Sequence, residues 1–455
     1  MAGEWRGCTI GELCDAGVVE LQTGPFGTQL HAHDYVEDGV PVVPTEAIRN
    51  RQIDHSVLPK ISPGKAEKLA RHRLELGDIL FARRGVQATG HIGCVREAED
   101  GFLCGTGAIR LRVRRGGSSV NPDFLSHVLA NPASVEWFKF HAIGATMPNL
   151  NEGIIRSFPL QIPPLPEQLA IAHILGTLDD KIELNRRMNE TLEAMARALF
   201  KSWFVDFLPV RAKAEGRNPG LPKPLADLFP NSFEDSDLGE IPKGWAVSPL
   251  RDLAGYLSRG IGPAYVNVGG ICVLNQKCVR DRRVDFSKAR RHDPSKKSSE
   301  GRTLRVLDIL VNSTGVGTLG RIAQLWDLPE SAIVDSHVTV IRTAEGIDPW
   351  FLGIALIGRE ADVEALGEGS TGQTELSRTR LGELTCLAPP AELQSSFGHL
   401  VEPVLSRLSA NERATITVAA LRDTLLPKLI SGELHAPVWQ DVAELVNGLE
   451  QKVAP

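Results

Sequence analysis

The chain is written twice, and this duplication constrains its fold more than any single motif. Trp5 and Trp245 each open a segment, 240 residues apart. Leu76-Gly-Asp-Ile-Leu80 answers to Leu307-Asp-Ile-Leu310, with Asp78 matching Asp308. Asn121-Pro-Asp-Phe-Leu125 answers to Asp348-Pro-Trp-Phe-Leu352, and Pro163-Pro-Leu-Pro-Glu-Gln168 to Pro389-Pro-Ala-Glu-Leu-Gln394. The offset shrinks steadily to 226, as expected if the second copy has shorter loops. A repeat of half the chain means that every feature must be read in pairs.

Each proline-rich turn leads into a long helical pattern. Ile171, Leu175, Leu178, Ile182, Asn185, Asn189, Leu192, Ala196, Leu199 and Trp203 alternate at four and three residues, filling the a and d positions of five heptads. Adding 226 gives Phe397, Val401, Val404, Leu408, Asn411, Thr415, Val418, Arg422, Leu425 and Leu429, so Asn185 falls on Asn411. Two related helices, each with a mid-seam asparagine, are expected to pack on one another in fixed register. The predicted seam residues are Leu178, Ile182, Asn185, Leu192, Leu199, Val404, Leu408, Asn411, Val418 and Leu425. A helix over 169–205 would be a rod of ~55 Å at 1.5 Å per residue. Pro403 and Pro427 predict fraying or a kink in its partner.

The globular parts precede the helices. Residues 1–162 and 244–388 mix short apolar strands, such as Ala108-Ile-Arg-Leu-Arg-Val113, with short helices. Residues 163–207 and 389–432 hold the long helices, and 433–455 form a tail. Six prolines and an acidic cluster between 208 and 243 predict a linker or extended surface segment. No apolar run is long enough to cross a membrane, so no membrane partner is expected. The seven cysteines form no CxxC pair and read as reduced thiols of a cytoplasmic protein. The net charge of −6 excludes a uniformly basic coat, yet Lys277 to Arg305 carries 11 basic and 4 acidic residues.

Catalytic signals fail when weighed one by one. Gly315-Val-Gly317-Thr-Leu-Gly320 satisfies GxGxxG, but the following segment is too short for a dinucleotide-binding helix, which leaves a glycine-rich turn. Asn121-Pro-Asp-Phe124 departs from the catalytic loop of adenine methyltransferases in its third residue and reads as a helix start shared with Asp348-Pro-Trp-Phe351. No phosphate loop or GxSxG nucleophile is present. His31-Ala-His33-Asp34 lacks a third ligand at metal spacing, and Asp179-Asp180 reads as a helix face. The sequence therefore nominates no catalytic, cofactor-binding or metal residues.

Ile162-Pro-Pro-Leu-Pro-Glu-Gln168 running into Ile171-Ala-His-Ile-Leu-Gly-Thr-Leu-Asp-Asp-Lys-Ile-Glu-Leu-Asn185, then Leu199-Phe-Lys-Ser-Trp-Phe-Val-Asp-Phe207 and Gly239-Glu-Ile-Pro-Lys-Gly-Trp245, resembles the specificity (S) subunit of type I restriction-modification enzymes along nearly the whole chain. The resemblance implies an α+β architecture: two mixed α/β target-recognition domains separated by two long antiparallel coiled-coil helices, as a pseudo-two-fold internal repeat. It implies a non-catalytic phage-defence subunit that reads a bipartite, asymmetric site in double-stranded DNA. Two methylation (M) subunits would dock on the helices and restriction (R) subunits would join them. S-adenosylmethionine, ATP and Mg would belong to those partners. Gln394 stands where the family has a glutamine before the second helix, although Glu392-Leu393 departs from the Pro-Glu order of the first copy. A self-sufficient DNA methyltransferase and a protein-binding scaffold are the alternative readings.

Base-reading residues do not follow from the resemblance, and physical chemistry nominates them instead. Arg83 and Arg84 follow an apolar strand, and Asn312, Ser313 and Thr314 are their counterparts; Arg and Asn suit bidentate contacts to guanine and adenine. Arg110, Arg112, Lys277, Arg280, Arg282, Arg283, Arg290, Arg291, Lys296 and Lys297 are nominated for phosphate, which positions without specifying.

Overall fold

A computed structural model describes residues 5–26, 29–114, 119–144, 146, 148–369 and 374–436. Two compact units emerge: Met1–Glu183 with Thr415–Pro455, and Leu184–Ala414. Each long helix, Leu165–Phe204 and Ala391–Ser431, therefore contributes one half to each unit. Among the described residues no helix is long and apolar enough to cross a membrane.

In the first unit the central sheet runs in the order Val19–Thr23, Ala108–Val113, Ile79–Ala82, Ile92–Cys94, all antiparallel. Its Ile79–Ala82 strand is buried on both faces, so its side chains divide by parity. Ile79 and Phe81 enter the larger core with Phe124 and Phe138, while Leu80 and Ala82 enter a smaller one with Val43 and Val95. A second sheet, in the order Leu103–Cys104, Val40–Val43, Lys60–Ile61, Tyr35–Val36, contains one parallel pair.

The second unit repeats this plan strand for strand. Its central sheet runs Ala254–Arg259, Val338–Thr343, Ile309–Asn312, Ile322–Gln324, and its mixed sheet runs Ala332–Val334, Ile271–Leu274, Arg290–His292, Tyr265–Val266. The aligned aspartates have the same task in both. Asp78 and Asp308, each 1% exposed, receive two hydrogen bonds from Arg112 and Arg342 respectively, at 2.6–2.7 Å. Asn121 and Asp348 both cap the helix that follows, accepting from Phe124 and Phe351 backbone N–H at 2.9 Å. Gly315-Val-Gly-Thr-Leu-Gly320 joins two antiparallel neighbours, Ile309–Asn312 and Ile322–Gln324, and is a hairpin turn. Gly320 has φ +81°, and a Cβ there would meet Glu364 backbone at 2.7 Å.

Within each unit the halves of the long helices run antiparallel. In the first, Ile171, Ala172 and Leu175 share a core with Leu425 and Leu429, and Asp179 accepts from Arg422 at 2.9 Å. In the second, Asn411 donates to Asn189 at 2.9 Å, and Phe200, Trp203 and Phe204 make edge-to-face contacts with Phe397. All ten heptad positions read in each helix are buried or half-buried, including the nominated Leu178, Ile182, Leu192, Leu199, Val404, Leu408, Val418 and Leu425. Asn185 and Asn411 are 1% and 4% exposed. The second helix passes unbroken through Pro403 and Pro427, both on its exposed side.

The segment 208–243 is not an extended linker. It forms the helices Leu208–Ala214 and Lys223–Ala226 and the hairpin Phe233–Ser236 with Gly239–Pro242. Val210, Phe229 and Ile241 are buried with Trp203 and Trp245 in the core of the second unit. Composition misled because Pro209 and Pro224 stand in first helical turns, where a missing N–H costs nothing. The tail reaches Ala436, buried against the first unit's core; its remainder lies outside the described residues.

A buried glutamine joins each domain to its helix. Gln168, fully buried, accepts from Asn121 N–H and donates to the Ser119 and Pro163 carbonyls, each at 2.8 Å. Gln394 accepts from Asp348 N–H at 3.2 Å and donates to the Pro389 carbonyl at 2.7 Å. The preceding position has diverged. Glu167 accepts from the Trp5 indole at 3.2 Å and also meets His435, whereas Leu393 leaves the buried Trp245 indole N–H without a hydrogen-bond partner. Replacing Gln168 by Leu orphans three backbone groups and should cost about 3 kcal/mol. Gln394→Leu orphans two and should cost less in thermal unfolding. Trp5→Phe should likewise lower the unfolding temperature more than Trp245→Phe, since only Trp5 loses a hydrogen bond.

Candidate nucleic-acid interface

The nominated residues separate into those that hold the fold together and those that face solvent. Ala82 ends its strand, and Arg83 turns inward to donate to Asn149 Oδ1 at 3.0 Å and the Leu150 carbonyl at 3.1 Å. Arg84 is exposed, and its backbone bridges to Asn149, which in turn bridges to Ile143. In the second unit the same three places are Thr314, Glu375 and Glu368. One loop arrangement thus carries an arginine unpaired among the described residues and two uncharged residues in the first unit, and a hydroxyl and two carboxylates, paired with Arg259 and Arg380, in the second.

Base reading is corrected at Asn312 and Ser313, both fully buried. Asn312 donates to the Gln276 and Val279 carbonyls at 3.0 and 3.4 Å, and the Ser313 hydroxyl lies 2.6 Å from that of Thr339. These groups brace a turn, and although Asn312 Oδ1 has no hydrogen-bond partner among the described residues, both side chains are too deeply buried to reach a base. Thr314 is half-buried, 2.7 Å from Nδ1 of the exposed His337. No motif marks His337, which adjoins the nominated loop only through the fold.

The phosphate nominations need similar sorting. Arg110 is 3% exposed and donates to the Arg71 and Arg73 carbonyls and to Gln22, so it cannot reach a phosphate. Arg112 is spent on Asp78. Arg282 donates to Glu193 at 3.2 Å; Arg283 donates to Glu193 and Glu412 at 2.9 and 2.7 Å and stacks over Trp326. Arg291 is held by Glu330 at 2.8 Å. These three are corrected to structural ion pairs, because the basic run lies against acids from distant sequence. Lys297 donates to the Gly262 carbonyl at 2.7 Å, Lys296 pairs with Asp293 at 3.7 Å, and Arg290 lies over the Tyr265 ring. These three are exposed, as are Lys277 and Arg280, for which no ion pair occurs among the described residues.

Two hairpin tips escaped the sequence reading. Ile48-Arg-Asn-Arg-Gln-Ile53 and Val279-Arg-Asp-Arg-Arg-Val284 share one pattern, and the repeat could have exposed it. Asn50 and Arg51 have φ of 50° and 62°; Asp281 and Arg282 have 51° and 61°. Two successive left-handed residues make the primed turn that suits a tight hairpin. Arg51 reaches Asp179 on the first long helix, as Arg282 and Arg283 reach Glu193. Each domain is thereby clasped to a helix at its hairpin as well as at its glutamine.

His31 and His33 stack 5.2 Å apart, and Asp34 pairs with Lys65 at 2.9 Å. An apolar cavity of about 580 Å³ in the second unit is lined by Phe200, Phe204, Trp326 and Ile354, away from the sheet-end loops. A cleft of about 370 Å³ in the first unit does lie at those loops, at the end of the central sheet, and Arg84 lines it.

Comparison with known proteins agrees with this geometry. Residues 3–194 match the family described as Type I restriction modification DNA specificity domain. The chain is 25% identical over 450 residues to the type I restriction enzyme HindI specificity subunit of Haemophilus influenzae, covering 87% of this chain and 94% of that one. It is 24% identical over 333 residues to the MjaIX specificity subunit of Methanocaldococcus jannaschii, covering 69% of each. The crystal structure of a type I restriction-modification S subunit from M. genitalium shares the fold, with a TM-score of 0.62 at 16% identity over 94% of this chain and 96% of that one. Two copies of one α/β scaffold, clasped to paired helices and differing at their loops, define a two-domain recognition protein. The chain is similar along most of its length to the specificity subunits of type I restriction enzymes, and its residues 3–194 match their DNA specificity domain.

Two histidines set a pH limit on the first unit. Burial, with the Arg51, Arg422 and Arg96 guanidiniums nearby, holds His127 well below the usual imidazole range. Burial, then Arg71 and Arg110, bring His72 down to about 4. Unfolding frees both to bind protons near pH 6.5, so their contribution is complete above that pH and is lost as pH falls toward 4. Amide-exchange protection of the Ile79–Ala82 strand should therefore decline between about pH 7 and about pH 5. Protection that stays level, after correction for intrinsic exchange, contradicts this.

Proposed function

We propose that this chain is the non-catalytic specificity subunit of a type I restriction-modification complex in the cytoplasm, reading a bipartite, asymmetric site in double-stranded DNA. The observation that carries this reading is the duplicated scaffold with different chemistry at matching loops. Arg84 in one domain suits different base edges from those suited to its counterpart Thr314, with the carboxylates beside Thr314 already paired with Arg259 and Arg380. Two such domains in one chain read two unlike half-sites. Lys277, Arg280, Arg290, Lys296 and Lys297 would hold phosphates and fix register.

The helices would dock two M subunits. Leu165, Leu169 and Ile416 in the first unit, and Leu184, Met195 and Leu400 in the second, are apolar and exposed on those helices. Such residues suit the apolar centre of a protein interface. R subunits would complete the complex. In this reading S-adenosylmethionine, ATP and Mg are bound by the partners, and this chain supplies the address.

Sequencing of genomic N6-methyladenine with this gene intact and deleted tests the reading. A split motif of fixed spacer should lose methylation on deletion. A methylated split motif that survives deletion, in cells where the M subunit is made, contradicts it.

A further inference from the structure

In the first unit the central sheet ends in a cleft of about 370 Å³ lined by Thr23, Phe26, Arg84, Thr106, Asn151 and Glu152. The cleft is built by the fold. Thr23 ends one strand, Thr106 precedes the next, and Arg84 follows the third. Arg83 also lines the cleft and is fixed by its two bonds to Asn149 and Leu150, and Asn151 caps the short helix Glu152–Arg156 by accepting from Ile154 N–H at 2.9 Å.

Arg84 shares with Arg6 and Arg49 the lack of a carboxylate partner among the described residues, and it alone of those three lines this cleft. Arg51, Arg96, Arg110, Arg112 and Arg156 in the same unit all have carboxylate partners. Arg84 and Glu152 are exposed, line one cleft and carry opposite charges. Neither has a side-chain hydrogen bond or ion pair among the described residues. Glu152 shares the cleft with Arg83 and Arg84, and a site built only for phosphate has no use for its carboxylate. A base pair that offers acceptors on one side and a donor on the other does fit. In the major groove that is G·C: guanine presents N7 and O6 to an arginine fork, and cytosine presents its N4 amino group to a carboxylate. A·T offers the arginine fork no matching pair of acceptors on one base.

Resting on the specificity-subunit reading above, we infer that this cleft reads one G·C pair of the first domain's half-site, with Arg84 on guanine and Glu152 on cytosine. Thr314, the counterpart of Arg84, cannot make that contact, so this position does not read guanine in the second domain.

The test is N6-methyladenine sequencing of cells carrying the chromosomal gene as wild type, Arg84→Ala, Arg84→Lys or Glu152→Gln, with partner subunits intact. In Arg84→Ala, one G·C position of one half of the split motif should relax by roughly tenfold or more relative to its other positions. The other half and the spacer should stay unchanged. Arg84→Lys should relax the same position less, since lysine makes no planar fork, and Glu152→Gln should relax it too. Methylation that falls evenly over an unchanged motif in Arg84→Ala would make Arg84 a phosphate contact and overturn the inference. An unaltered motif, or relaxation at an A·T position, also overturns it, while the split motif of the wild-type arm leaves the broader reading standing. A wild-type arm without any split motif overturns both.

Discussion

Each domain depends on a glutamine amide that is buried where its long helix begins. Gln168 and Gln394 satisfy backbone groups of a loop on one side and of the proline turn on the other. A side chain with both donor and acceptor is required, because a buried backbone group left unpaired costs about as much as the contact supplies. The hairpin clasps of Arg51 on Asp179, and of Arg283 on Glu193 and Glu412, add a second attachment in each unit. A domain held at two places cannot pivot on its helix, so the direction in which its loops face is set by the same residues that stabilise it.

That rigidity explains how one scaffold can serve two purposes. Strand order, the Asp78–Arg112 and Asp308–Arg342 pairs, the helix caps and the glutamines are shared. The sheet-end loops differ in charge and hydrogen-bonding capacity, and they carry little of the packing. Divergence at Glu167 and Leu393 shows that even the shared lock tolerates loss of one member, at the expense of the Trp245 indole.

Much of this was legible in the residues. The repeat exposed two domains and two helices, and heptad spacing found the seam because side-chain period and burial coincide there. The glycine motif read correctly as a turn, since its following segment is too short for a helix. The failures have one cause, which is that charge in sequence does not reveal its partner in space. Ala108-Ile-Arg-Leu-Arg-Val113 alternates like a strand with a solvent face, but that face carries Arg110 onto the Arg71 and Arg73 carbonyls. Arg282 and Arg283 belong to a basic run whose acids lie about 90 and 130 residues away. Between 208 and 243, proline content concealed Val210, Phe229 and Ile241, three anchors too widely spaced to form a pattern.

Exchange of residues 6–162 for the corresponding domain of another specificity subunit tests the central claim most directly, with methylated genomic motifs as the readout. If each domain reads its own half-site from a fixed mounting, one half of the motif changes while the other half and the spacer remain. A change in both halves, or an unchanged motif, would contradict the account.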